Sequence, residues 1–135
     1  MLEENKAVIR KYYESLDKGD FDTVKGLLAD DFGSDFMGQE WTIESYMQMG
    51  QGFRASFPDL HHKLEAQVTE GDTVVTPLVA GGTQKAEFMG LPASGKSFEI
   101  RAINVHRVSS GKISFHSGVL DMMTMMQQLG AIPTG

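Results

Sequence analysis

The chain has 135 residues, 41% of them hydrophobic and 22% charged, with a formal net charge of -6 and no cysteine. That length supports one domain around one core, and the composition is that of a folding globular chain, not a disordered one. The acidic balance and scattered Lys and Arg lack the footprint of a nucleic-acid binder, and the missing cysteines exclude disulfides and thiolate metal sites. No run approaches the ~18 apolar residues of a membrane-spanning helix. MLEENKAVIRKYY carries no apolar leader core, so a soluble cytoplasmic protein is expected.

Ile9, Tyr12, Tyr13 and Leu16 fall at i, i+3, i+4 and i+7, which predicts a helix from Glu3 to Asp17 that stops at Lys18-Gly19-Asp20. Asp20 can cap a second helix carrying Phe21, Val24, Leu27 and Leu28 and ending near Asp30 and Asp31. After a loop with Gly33 and Gly38, Thr42 can cap a third, whose Ile43, Tyr46, Met47, Gly50, Phe53 and Phe57 keep helical spacing up to Pro58.

Beyond Pro58 the period becomes two. Leu60, His62, Leu64, Ala66 and Val68 alternate with polar residues, and Glu70-Gly71-Asp72 turns the chain into the run Thr73 to Thr76. Pro77 suggests an edge or a bulge there, and Gly81-Gly82 an interruption. Ser97 to Val108 alternates again, and Ser109-Ser110-Gly111-Lys112 turns it into a last strand, Ile113 to Leu120. Helices first and an antiparallel sheet afterwards predict an α+β fold with the helices on one face.

Residues 90–97, GLPASGKS, satisfy the phosphate-loop pattern G-x-x-x-x-G-K-[ST]. Such a loop works because a buried strand leads in and a helix leads out, so that backbone N–H groups converge on phosphate. Here SFEIRAINVHRV leads out as a strand, so the stretch is read as a connecting loop shaped by Pro92 and Gly95.

On the strand from Ser97 the parity set Phe98, Ile100, Ala102, Asn104, His106, Val108 places an amide and an imidazole on the inner face, where each needs a hydrogen-bond partner or a ligand. In the last strand Ile113, Phe115, Ser117 and Val119 share a parity that Asp121 continues, aiming a carboxylate inward. A desolvated carboxyl, raised above ~3.9, could exchange protons with a carbon next to a carbonyl. Asp121 also precedes MMTMMQQL and can cap that helix, which would lower its pKa. A bulge at Gly118 would turn it outward. His106 also reads as a satisfied interior histidine. His61 and His62 are adjacent, so on a strand they face opposite sides and cannot chelate one metal. The methionines suit an adaptable core or an apolar pocket wall, and Asp35 and Gln39 are exposed loop residues by default.

Together GDFDTVKGLLADDF (19–32), FPDL (57–60), GTQKAEFMGLPASGK (82–96), HRVSSGKI (106–113) and VLDMMTMMQQLGAIP resemble the SnoaL-like polyketide cyclase family, part of the group built on the nuclear transport factor two-like cone. The resemblance spans nearly the whole chain as a single domain, residues 1–135. It implies an α+β cone in which three N-terminal helices pack in the concave face of a curved antiparallel sheet, leaving an apolar pocket, and a homodimer formed through the sheet's outer face. It also implies an intramolecular aldol condensation on a small hydrophobic molecule, without metal or organic cofactor. Asp121 matches the family's general acid/base aspartate, with His106 or Asn104 as donor to the developing oxyanion.

Ser117, and Leu78 after Pro77, stand where related sequences often carry tryptophan, so the pocket is expected to be wider. Asp35 stands where a histidine is frequent and offers a second carboxylate. Tyr13, Met47, Phe53 and Phe115 complete the expected substrate-binding wall. The same fold hosts isomerases, hydrolases and non-catalytic small-molecule binders, and these are the alternative readings.

Overall fold

The computed structural model describes residues 2–132; Pro133, the last residue of the closing motif, lies outside them. Helix α1 (Leu2–Lys18) buries Ile9, Tyr12 and Tyr13. It ends where Gly19 takes a left-handed conformation, φ +73°, with Gly19 N–H donating to the Leu16 carbonyl and Asp20 N–H to that of Ser15. These paired bonds close a helix only when the next residue tolerates positive φ. Asp20 then caps α2 (Phe21–Gly26), accepting from Thr23 N–H. A reciprocal Thr42/Ser45 capping box starts α3 (Ile43–Ser56).

Six strands follow the order β1-β6-β5-β4-β2, with β3 also on β4. They are β1 (Leu28–Ser34), β2 (His61–Leu64), β3 (Val68–Glu70), β4 (Thr73–Thr83), β5 (Ser97–Ser109) and β6 (Lys112–Leu120); the short helix α4 (Met122–Gln128) closes one end. All pairings are antiparallel except β1 with β6. The helices lie on the inner face, where Phe98, Ile100, Ala102, Asn104, His106 and Val108 are all buried, so the α+β cone is the fold observed.

Three local expectations are corrected. Asp30 and Asp31 do not end a helix: α2 stops at Gly26, and residues 28–34 form β1, anchored by buried Leu28, Phe32 and Ser34 while the two carboxylates face solvent. Pro77 lies neither at an edge nor in a bulge. It pairs with Ile103 inside β4, where its missing N–H faces the gap between the end of β2 and the start of β3, while its carbonyl accepts from Glu65 N–H. Gly81-Gly82 does not interrupt β4. A Cβ on Gly82 would come within 3.0 Å of Phe57 Cβ, so the missing side chain lets the end of α3 lie directly on the strand.

The GLPASGK stretch is a loop that leads into β5, with no helix behind it. Buried Gln84 holds it from inside, its two Nε2–H groups shared among the carbonyls of Ala86, Leu91 and Pro92 and its Oε1 accepting from the Ser94 hydroxyl. The N–H groups of Leu91 and Gly95 are spent on the Phe88 and Gln84 carbonyls, and that of Lys96 on the Ser94 hydroxyl, so the loop does not turn them toward a phosphate.

Candidate active site

Between the helices and the inner sheet face lies a cavity enclosing about 820 Å³ of empty space, its open mouth included. The enclosed part of that space is about 100 Å³, small beside the roughly 300–1,000 Å³ of drug-sized ligand sites. Its wall is apolar over most of its extent, with Met47, Phe53, Leu78 and Ile100 among the contributors, and polar along one strip.

The strip is a single hydrogen-bonded chain. Tyr12 and Tyr46 meet hydroxyl to hydroxyl, Tyr46 meets His116 Nδ1 at 2.6 Å, His116 Nε2 meets Asn104 Oδ1 at 3.2 Å, and Asn104 Nδ2 meets the Tyr13 hydroxyl at 2.7 Å. Its polarity follows from one acceptor. Asn104 Oδ1 can only accept, so His116 Nε2 carries the proton and Nδ1 of the neutral ring accepts from Tyr46. Tyr46 in turn accepts from Tyr12. At the other end Asn104 Nδ2–H donates to Tyr13, whose own hydroxyl proton has no acceptor among the described residues. The chain therefore delivers one unspent O–H to the cavity.

Burial holds every member neutral. It raises the hydroxyls of Tyr12, Tyr13 and Tyr46 well above the usual tyrosine range, so each stays protonated and acts as a donor. It pushes His116 down to about 3, against the opposing field of Asp35.

Two features of β6 build this strip. Arg107 pairs with Phe115 and Val108 with Ile113, so Ser114 is an extra residue, a bulge that inverts the parity of everything after it. His116, Gly118 and Leu120 consequently face inward, and Gly118 lies opposite Asn104. A Cβ on Gly118 would sit 2.2 Å from Asn104 Oδ1, so only glycine leaves room for the amide in this position.

The structure places several of the expected site residues away from the cavity wall. Asp121 is exposed and lies outside the cavity wall; both its oxygens are spent as the cap of α4, on Thr124 N–H (3.0 Å) and the Thr124 hydroxyl (2.6 Å). Those hydrogen bonds lower its pKa, as expected of a cap. The register change that turns it outward arises at Ser114, not at Gly118. Ser117 pairs with Val105 on the outer face, and Phe115 lies under the Arg107 guanidinium at 5.5 Å. Asp35 is an exposed loop residue that does not line the cavity. His106 faces inward but is walled off behind His116, their rings stacked at 4.4 Å, with no hydrogen-bond partner on either nitrogen. Burial, and then His116, hold it neutral.

Asn104, Tyr13, Met47 and Phe53 do line the cavity, as expected. Tyr12, Tyr46 and His116 are members that sequence reasoning missed. The two tyrosines lie on the helical stripes and pass there for core; His116 is hidden by the bulge. Among the described residues no cluster of three or more His, Cys, Asp or Glu could hold a metal ion, and no helix is long and apolar enough to cross a membrane.

A family model of SnoaL-like polyketide cyclases matches residues 6–129. IdmH from Streptomyces antibioticus, a candidate polyketide cyclase, is 33% identical, with 93% of this chain and 98% of that one covered and a TM-score of 0.84. AclR from Streptomyces galilaeus, a candidate hydroxylase, has the same fold at a TM-score of 0.91 with 22% identity, covering 98% of this chain and all of its own. A candidate SnoaL-like polyketide cyclase from Jannaschia sp. CCS1 superposes at 0.86 with 22% identity over 96% and 94% of the two chains. No curated protein sequence matches significantly. The extent of the family match and the IdmH identity place this chain in the SnoaL-like polyketide cyclase family.

Proposed function

We propose that the cavity performs cofactor-independent acid/base chemistry on a hydrophobic carbonyl compound, in the manner of an aldol-type ring closure. The observation that carries this reading is the unspent Tyr13 hydroxyl at the end of a buried chain, in a mostly apolar cavity. Removal of a proton next to a carbonyl leaves an enolate, and the electron pair then attacks a second carbonyl of the same molecule. Charge develops on oxygen in both steps. A neutral donor fixed by its neighbours stabilises that charge without reorganising at the moment of reaction, an effect worth about 10²–10³ in rate for one such donor. No electrons are transferred to a partner, and the proton removed is later returned.

The test uses 2-naphthol, which presents an enolate-like oxygen on a flat apolar body, beside naphthalene, which lacks the oxygen. Fluorescence titration should show naphthol bound more tightly than naphthalene. Tyr13→Phe should abolish that preference while leaving naphthalene unaffected, and Asp121→Asn should leave both affinities unchanged. Equal affinity for the two ligands in the natural protein, or a preference that survives Tyr13→Phe, would contradict the proposal.

A further inference from the structure

The polar chain supplies a donor but no base. Both His116 nitrogens are engaged, the tyrosines are held protonated, and His106 is sealed behind His116. His62 is different. It lies on β2 opposite Ala80 and faces inward to line the cavity, whereas neighbouring His61 faces out. Asp17, in the last turn of α1, grips it twice: Oδ2 accepts from His62 N–H at 2.9 Å and Oδ1 meets Nδ1 at 2.7 Å. An ionised carboxylate only accepts, so the neutral ring carries its proton on Nδ1 and presents a lone pair at Nε2. Nε2 has no partner among the described residues, and the side chain is 13% exposed, so that lone pair is reachable from the cavity. Tyr13 lies one turn before Asp17 on the same helix face, its ring 5.0 Å from that of His62.

We propose that His62 is the general base of this cavity and Asp17 its positioning residue. The inference rests on the acid/base reading above and adds the group that reading lacks. His62 Nε2 takes a proton from the carbon next to the bound carbonyl. The C–H bond breaks, an N–H bond forms, and the electron pair passes into an enolate whose oxygen Tyr13 holds. The imidazolium lies against the Asp17 carboxylate until it returns the proton to the alkoxide formed by ring closure. A plain tie between α1 and β2 would need only the backbone N–H bond; the second bond, to Nδ1, sets the tautomer.

The probe is 5-nitrobenzisoxazole, in which removal of one carbon-bound proton breaks the N–O bond and releases a coloured cyanonitrophenolate with no co-reactant. The full-length protein should turn it over saturably. His62→Gln should lower kcat by about 100-fold, with KM changed by less than about twofold. Asp17→Asn should lower kcat at least about tenfold, again at constant KM, and should shift His62 from the Nδ1–H tautomer toward a mixture in long-range ¹H–¹⁵N spectra. Naphthol binding by each variant reports that it is folded. Absence of saturable turnover, or a kcat unchanged in His62→Gln, overturns the base assignment while the naphthol preference leaves the oxygen-binding reading standing. An Nε2–H tautomer for His62 in the natural protein overturns it without any variant.

Discussion

Lowering the pH from 7 to 4.5 should cost the protein about 3 kcal/mol of unfolding free energy through His116 alone. Burial pushes that imidazole from its ordinary 6.5 down to about 3, so between those values the unfolded chain binds a proton that the folded chain refuses. Stability from this group is complete above pH 6.5 and falls as the pH drops toward 3. His106, displaced in the same direction by burial and by its neighbour, adds to the loss. Asp20, Asp59 and Asp121, lowered by their hydrogen bonds, also lose stability on acidification, but only near and below their ordinary 3.8, so the histidines dominate this window. Urea denaturation at the two pH values measures the difference. His106→Leu should make it smaller, and should not itself destabilise, because neither ring nitrogen gives up a protein hydrogen bond. A stability that stays flat between pH 7 and 4.5 would show that His116 is protonated in the fold.

Gly118→Ala should be the most damaging single-methyl change in the sheet. Its Cβ would meet Asn104 Oδ1 at 2.2 Å and the Ile103 carbonyl at 2.9 Å, so the amide must leave its place and both neighbouring hydrogen bonds go with it. The expected cost is about 1–3 kcal/mol, with loss of the naphthol preference because Tyr13 is no longer positioned. A double-mutant cycle with Asn104→Ala separates this from a general effect on the strand. Removing the amide relieves the closer contact but not the backbone one, so the two substitutions together should cost at least about 1 kcal/mol less than their sum. Strict additivity would mean that Gly118 does not serve the amide.

How far the sequence foretold this site depends on strand register. The inner face of β5 follows directly from alternation, because its residues from Ser97 to Arg107 pair with β4 without a break, and Asn104 and His106 fall inward as expected. On β6 the same rule fails after one residue. A bulge at Ser114 leaves no mark in the hydrophobic pattern, yet it exchanges Phe115, Ser117 and Asp121 for His116, Gly118 and Leu120. The cap reading of Asp121, visible in the helical spacing of Met122, Met125, Met126 and Leu129, is the one the structure bears out. Tyr12 and Tyr13 were legible as buried, but a buried tyrosine's hydroxyl partner comes from elements far along the chain, here residues 46 and 104. The Asp17–His62 pair spans 45 positions, a separation that no local pattern encodes.

The neutral, directional state of the polar chain is read most directly by the imidazole nitrogens of His116. In long-range ¹H–¹⁵N spectra recorded between pH 8 and 5, His116 should remain neutral throughout, with its proton on Nε2 and Nδ1 accepting from Tyr46. A resonance that titrates within this range, or a proton found on Nδ1, would contradict a chain that runs from Tyr12 to an unspent Tyr13 hydroxyl.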